Sequence, residues 1–570
     1  MGLAGRSAAR AEQSRLADER LPRPVPHRVR RLTGPRPSGR GGDVTSRRWP
    51  VVLAVAALLA GMAAAMVSTA VAQSPTIDEP VYVATGVVYL KEHDLRYNAE
   101  HPPLGKLLIG AGAVAGGVRL DSSFTGSEQN VGRHLLYESD NDAQLVMLAA
   151  RLPVIVLTLC FGLVVFFFAR DLSGTGGGLI ALVLYAFSPD VIAHGSLATL
   201  DVPMAGFLLT AVWLLWRARD RRPGLYVPLA GAALGAAVAT KMSALPAIPV
   251  LMGLAVYSVW SSSVRRRVAA GAAVAGIAVA VVWASYLAVD PRLRWTTPPT
   301  VPDIGGWRGL VADWLPFPAP FRDGMRIQFG FEDMRWTSFL FGHAYQGSRW
   351  YYLPAALLVK TPLGMLALWA AGLAALWAVP RLRPAAPYVL LPAAVLMAVA
   401  MTGARDLGVR YVVFVPMFLA VAAGGTALLR RRWVPAVTGV LLLFVAVSSV
   451  RTYPYYLPYS NEAFGGPSKT HLRLHDSNVD WGQDLKRLAD RLRDDHSGER
   501  VWLVYKGSGV PSWYGIRASD PLIVPPDRVH GLLVVSDSWL AKDDPRLVPL
   551  VATSERAGDV GHSITLFRRP

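Results

Sequence analysis

The stretch VVLAVAALLAGMAAAMVSTAVA, residues 51–72, carries no charged side chain. About 20 apolar residues in a helix cover the hydrocarbon core of a bilayer, so this run reads as a membrane span. Its last residues, Ala70-Val71-Ala72, have the form of a signal-peptidase site. The apolar region nevertheless exceeds the roughly 7–15 residues of a signal core, so the span is expected to be retained. Upstream, residues 1–48 hold twelve Arg among many Pro and Gly, with no apolar periodicity. Such a segment buries too little apolar surface to offset its chain entropy, and a disordered, Arg-rich cytoplasmic tail is expected.

Downstream, apolar runs recur near 146–169, 177–190, 202–216, 225–240, 244–260, 268–289, 351–379, 386–402, 411–429 and 433–450. With the first run they predict about eleven transmembrane helices. Arg217, Arg219, Arg221 and Arg222, then Arg265 to Arg267, then Arg381 and Arg383, then Arg430 to Arg432 fall in every other connection. The positive-inside rule puts those connections, with the N-terminus, in the cytoplasm. That placement accounts for much of the net charge of +18 and removes the case for a nucleic-acid partner. The composition agrees with a membrane class: 52% of the 570 residues are hydrophobic and 17% charged, where a soluble chain carries about 25%. Cys160 is the single cysteine, so no intramolecular disulfide can form.

Three long segments are left for the other side of the membrane: residues 73–145, 290–350 and 451–570. The apolar stretch 107–118 is too short to span and is expected to lie in the interface. Beyond Tyr453 to Tyr459 the pattern changes to a helical run at Leu485 to Leu492 and apolar strands at Val501 to Tyr505 and Leu532 to Val535. The expected architecture is an all-α polytopic membrane bundle over residues 49–450, with a small extracytoplasmic α/β domain over 451–570. A multi-pass plasma-membrane protein with a cytoplasmic N-terminus follows.

Chemistry is sought in those three segments. Thr76-Ile77-Asp78-Glu79-Pro80 places two carboxylates just past the first span, and His101-Pro102-Pro103-Leu104-Gly105-Lys106 follows. Carboxylates near hydrocarbon are costly enough to suggest function, although acids also favour a helix N-terminus through its dipole. Asp201 has the same two readings. Lys360, inside an apolar run about ten residues past Trp350, either lines a cavity or snorkels to the interface. His194 and His343 lack metal-ligand spacing, and no dedicated metal site is expected. A divalent cation is left open as a cofactor.

These motifs resemble the protein O-mannosyltransferase superfamily (glycosyltransferase family 39, GT-C type), which includes bacterial aminoarabinose transferases. The resemblance rests on the Asp78-Glu79 pair with His101 to Lys106, and continues through Ala150-Arg151-Leu152-Pro153, Thr199-Leu200-Asp201-Val202-Pro203 and Thr240-Lys241-Met242-Ser243. Lys360-Thr361-Pro362, Gly408-Val409-Arg410-Tyr411 and Asp476 to Asp484 are similar to bacterial phospholipid-carrier-dependent members. The resemblance implies a GT-C transmembrane catalytic domain whose partners are a polyprenyl-phosphate sugar donor and an exported protein or glycan acceptor. It departs from the eukaryotic pattern at residues 290–350, which are too few to hold a β-trefoil module.

A lipid phosphate leaves without needing a proton, unlike the alcohol expelled in glycoside hydrolysis, so one base suffices. Asp78 is expected to take the acceptor proton in a single inverting displacement, with Glu79 assisting. The phosphate needs cations, and Lys106, Arg151, Lys241, Lys360, Arg405 and Arg410 are the candidates. His101, Asp201 and Tyr411, inside the matching motifs, join them as expected substrate contacts. The function expected is mannosyl transfer to Ser or Thr of exported proteins, and next a pentosyl or other transfer to lipid or cell-wall glycan. A lipid-linked sugar transporter would need an inverted repeat, and none is evident. A non-catalytic assembly protein would tolerate loss of the acidic pair. The Asp480-Trp481-Gly482-Gln483-Asp484 stretch is read as structural, with capping of the catalytic face or acceptor binding as the other possibility.

Overall fold

The computed structural model describes residues 49–570. The expected disordered tail, residues 1–48, lies outside them. The first span is the helix Trp49–Ala72. It is buried only at Met62, Met66, Thr69 and Ala70, a stripe at helical spacing that leans its second half on the bundle.

Among the described residues, six helices are long and apolar enough to cross a membrane, or seven if the bent pair Tyr352–Lys360 and Leu363–Ala378 counts as one span. The expectation was about eleven, and several of the apolar runs share one continuous helical element or form shorter helices. The runs 146–169 and 177–190 fall in one element, Ala143–Ala186, interrupted at Gly174 (φ 78°, ψ −177°). Tyr185 Oη donates to Thr158 O at 2.7 Å across that break, so the two halves run side by side as a hairpin. Glycine is suited to the tight reversal because it alone adopts such a φ freely. Several other runs form short helices, Ala247–Ser258 and Phe414–Leu428 among them, that do not reach span length by themselves.

Residues 73–145 form a helical layer rather than a loose loop. Helices Glu79–Lys91 and Pro103–Ala115 cross with their backbones in contact at Gly86 and Gly110. A Cβ on Gly86 would meet Lys106 O at 2.1 Å, and one on Gly110 would meet the Gly86 carbonyl carbon at 2.4 Å. Helix Glu128–Tyr137 completes the layer, its N-cap Ser127 accepting from Asn130 N. Residues 107–115 of the apolar stretch thus belong to a 13-residue helix, short as expected.

The bent pair turns by 117° at Thr361-Pro362. Asn461 fills the break: its Nδ2 donates to Leu358 O (2.7 Å) and Thr361 O (2.9 Å), carbonyls that lose their helical partners there.

The C-terminal part is a small α/β unit. Strands β3 (Val501–Val504), β4 (Ala518–Ser519), β5 (Gly531–Ser536), β6 (Glu555–Val560) and β7 (Ile564–Arg569) form a mixed sheet, while β1 (Thr337–Leu340) and β2 (His343–Gln346) make a separate hairpin. The sheet order is β4-β3-β5-β7-β6, with β3 parallel to β4 and β5, and β7 antiparallel to both its neighbours. Side chains alternate across it: Leu532 and Val534 join Leu485, Leu488 and Leu492 of helix Leu485–Asp495 on one face. Leu533 and Val535 join Trp502, Leu547 and Leu550 on the other.

Candidate active site

Asp78 sits at the N-cap position of helix Glu79–Lys91, yet its side chain caps nothing. Pro80 in the first turn has no N–H to offer, which weakens the usual reason for a cap. The carboxylate instead turns to Arg410, whose Nη1 donates to Oδ2 at 2.6 Å. The side chain keeps 26% of its surface exposed.

Glu79 has the opposite surroundings. It is fully buried, and Oε1 accepts from Arg151 Nε (2.7 Å) and Ala198 N (2.7 Å). Oε2 accepts from Arg151 Nη2 (2.6 Å), Thr76 N (2.8 Å) and Thr76 Oγ1 (3.0 Å). Arg151 is equally enclosed, and its remaining N–H groups reach Ala70 O, Gln73 O and Ser74 O. The pair fixes the 70–79 turn and leaves no donor or acceptor facing outward. Glu79 therefore supports Asp78 through the backbone, and the expectation of Arg151 as a phosphate contact is corrected.

Two lysines are corrected for the same reason. Lys106 Nζ donates to Tyr89 Oη (2.9 Å), Asn98 O (2.6 Å) and His101 O (2.7 Å), which satisfies all three of its protons and clamps the turn where Asn98 takes φ 53°. Lys360 neither lines a cavity nor snorkels. Fully buried, its Nζ donates to Leu457 O (2.5 Å) and Asn478 O (3.0 Å) and faces the Asp190 carboxylate at 3.4 Å.

The other candidates converge. Arg410 lies over the Trp481 ring (4.4 Å) and beside Tyr411 (5.1 Å). Lys241 faces the same Tyr411 ring at 5.4 Å and donates to Asp201 Oδ1 at 2.5 Å. Arg410 Nε is buried without a partner, and so is His101 Nδ1. Burial, with Lys241, Lys106, Arg405 and Arg410 nearby, holds the His101 imidazole well below its ordinary pKa and therefore neutral. Arg405 has other neighbours, Gln328 at 2.8 Å and Glu332 at 3.1 Å.

Two further residues adjoin the site. Trp481 was read as part of a structural stretch, yet it carries the Arg410 guanidinium, and His194 meets its edge at 6.1 Å. Both His194 nitrogens are buried without partners. The sequence signal for Trp481 was the Asp476 to Asp484 motif itself. Nothing local distinguishes His194. The rest of that motif is structural: Asn478 Oδ1 accepts from Val409 N (3.0 Å) and Ser477 Oγ donates to Leu407 O (2.9 Å), which sets the backbone before Arg410. Among the described residues, no three His, Cys, Asp or Glu side chains group as metal ligands.

Residues 55–291, which include Asp78, His101, Asp201 and Lys241, match the family described as dolichyl-phosphate-mannose-protein mannosyltransferase. The chain is also similar to solved structures. ArnT from Cupriavidus metallidurans in the apo state is 16% identical, over 92% of this chain and 98% of that one, with a TM-score of 0.47. Its complex with undecaprenyl phosphate is 15% identical over the same shares, with a TM-score of 0.49. The S. cerevisiae protein O-mannosyltransferase Pmt1-Pmt2 complex bound to the sugar donor is 18% identical, over 42% of this chain and 33% of that one, with a TM-score of 0.34. No curated protein matches. The matched segment ends at residue 291, so Arg410, Tyr411 and Trp481 lie outside it.

Proposed function

We propose that the protein moves a sugar from a polyprenyl-phosphate carrier onto an acceptor hydroxyl outside the cytoplasm, with mannose and Ser or Thr of exported proteins as the substrates. The observation that supports this most is the state of Asp78. One oxygen is held by Arg410, the other receives no protein donor among the described residues, and the carboxylate does not cap its helix.

In this reading Asp78 Oδ1 accepts the proton of the acceptor hydroxyl as its oxygen attacks the anomeric carbon from the face opposite the phosphate. The bond between the anomeric carbon and the phosphate oxygen breaks, and the phosphate leaves with the electron pair. Inversion follows from the single displacement. Arg410 offers its unpartnered Nε to the developing phosphate charge, and Lys241 adds a second cation. Asp201 orients Lys241, while the neutral His101 is available as a hydrogen-bond partner to sugar or phosphate. Arg405 stands further out, where it would meet the carrier's phosphate on entry. Charge placement along the chain supports a cytoplasmic N-terminus and an extracytoplasmic C-terminal domain.

The test is transfer of radiolabel from polyprenyl-phosphate mannose in membranes carrying wild type or Asp78→Asn, with protein-bound and lipid-bound counts separated. The expected result is label in protein for the wild type and a loss of about 10²–10⁴-fold in the variant. Label in lipid or glycan alone would replace the acceptor. No transfer from any polyprenyl-phosphate sugar, or equal transfer by the variant, would refute the reading.

A further inference from the structure

Helix Gly306–Trp314 belongs to the segment that follows the span Val264–Val289. Its side chains Trp307, Leu310, Val311 and Trp314 recur at i, i+3, i+4 and i+7, which gathers them into one apolar stripe about 100° wide. All four are exposed, the two tryptophans by 68% and 85%. The opposite face is in use: Gly309 and Ala312 are buried, and a Cβ on Gly309 would meet Ile304 O at 2.0 Å. The charges between the two faces turn towards helix Ala319–Glu332. Arg308 Nη1 donates to Oδ1 of its C-cap Asp333 at 2.7 Å, and Asp313 pairs with Arg326.

The height of the stripe follows from what the next residues touch. Trp283 Nε1 donates to Pro316 O at 2.9 Å, and the Tyr286 and Phe321 rings lie 6.4 Å apart. Trp283 and Tyr286 are in the last turns of the span, at the end away from Arg265 to Arg267. Counted from Val268, Trp283 is about 22 Å along the helix, inside a hydrocarbon layer of about 30 Å. Pro316, two residues past Trp314, is therefore held about 8 Å below the outer boundary. Interfacial helices bury their apolar face to a depth of about 5–10 Å, and tryptophan is enriched at that level.

We infer that helix Gly306–Trp314 is a monotopic membrane anchor whose stripe is inserted into the outer leaflet, and that it thereby steadies the side of the site where Arg405 stands. The anchoring is independent of the transfer reading above; the effect on the site rests on it.

Helix Ala319–Glu332 makes the link. Gln328 Oε1 accepts from Arg405 Nη2 (2.8 Å), Gln328 Nε2 donates to Glu100 O (3.0 Å), and Glu332 Oε1 accepts from Arg405 Nη2 (3.1 Å). At Gly324 the same helix rests on the turn before His101, since a Cβ there would meet Ala99 O at 1.9 Å. Depth favours lipid over a second copy of the chain as the occupant. Charge agrees, because Arg308 and Asp313 beside the stripe are already paired within the protein.

The experiment uses the full chain in nanodiscs of phosphatidylcholine and phosphatidylglycerol, in a Cys160→Ser background. Leu310→Cys and Trp314→Cys each carry a nitroxide on the stripe, and Asp303→Cys carries one at an exposed position before the helix. Collisions with oxygen, which concentrates among acyl chains, are compared with collisions with a water-soluble nickel chelate. Oxygen is expected to dominate at 310 and 314, and nickel at 303. Nickel dominating at all three would overturn the anchor, and spin–spin coupling between two copies labelled at 310 would replace lipid by a second copy. Trp307→Glu with Leu310→Glu, both at exposed positions, then sets charge on the stripe. The Trp314→Cys label is expected to become nickel-accessible, and the KM for polyprenyl-phosphate mannose to rise at least about 10-fold with kcat within about twofold. A label that stays in lipid would overturn the role of the stripe, and an unchanged KM once it has left would overturn the link to Arg405. A wild type that transfers no sugar while its label lies in lipid would keep the anchor and refute the transfer reading, so the two failures are distinguishable.

Discussion

At Glu79 five donors converge on two buried oxygens, three of them from groups other than Arg151. One peptide bond away, Asp78 is held by a single guanidinium. Replacing Glu79 by Gln removes the charge that balances Arg151 in a dry environment. Breaking a buried pair from one side costs about 3–5 kcal/mol. The expected outcome for Glu79→Gln is therefore reduced folded yield and a lowered melting temperature of the purified protein, whereas Asp78→Asn leaves both near wild type and loses activity alone. Size-exclusion profiles and thermal melts in detergent separate the two; equal melting behaviour would contradict the division of roles. Both carboxylates were visible in the sequence as an adjacent pair, and only long-range partners tell them apart. Arg151 lies 72 residues from Glu79, and Arg410 lies 332 residues from Asp78. No local pattern reports such a contact, which is also why Lys106 and Lys360 looked like free cations.

Among the elements, the crossing of helices Glu79–Lys91 and Pro103–Ala115 decides where the site's floor lies. With Gly86 and Gly110 in backbone contact, any larger side chain must push the helices apart. Overpacking of this kind costs about 1–3 kcal/mol, and here it also displaces Asp78 at one helix start and His101 just before the other. Gly110→Leu is expected to lower transfer by at least about tenfold with donor affinity falling in parallel, as measured by titration of the polyprenyl-phosphate sugar. An unaffected KM would show that the crossing is not what positions the pair. The sequence made these helices legible by their apolar runs and proline starts. The separate runs 146–169 and 177–190 also anticipated the reversal at Gly174, where four glycines fall within 174–178.

At the scale of the whole molecule, two buried acids lie where the C-terminal sheet meets the Asp476 to Asp484 segment: Ser538 N donates to Asp480, and Thr565 Oγ1 donates to Asp537. Burial raises Asp537 to about 7 and Asp480 to about 6, the nearby Asp480 carboxylate adding to the effect at Asp537. An acid with a raised folded pKa binds its proton more tightly in the native state, so its stability contribution is full below about 4 and is lost as pH rises towards the folded value. His471 faces Asp537 at 3.9 Å, and burial lowers it to about 4, so its contribution runs the other way over roughly pH 4 to 6.5. The difference between Asp537→Asn and wild type isolates the acid: the variant's melting temperature relative to wild type should rise between pH 4.5 and 7.5. A flat difference would show that Asp537 does not titrate in this window. The α/β character of this unit was readable from its alternating strands. Its role in carrying Trp481 to Arg410 was not, since that depends on packing between segments far apart in the chain.

One connection reaches across nearly the whole polypeptide. Ser74 N donates to Gln483 O at 3.0 Å, and Ile77 N to Trp481 O at 3.0 Å, so the turn that bears Asp78 hydrogen-bonds to a segment about 400 residues later. During synthesis the ribosome has delivered every apolar helix before Trp481 emerges. The nascent protein thus passes through insertion with its acidic turn unanchored and its Arg410 without a platform. Contacts of such separation form late because the intervening chain must first be closed into a loop. A product terminated before residue 481 lacks the carbonyls that Ser74 N and Ile77 N bond and the ring under Arg410.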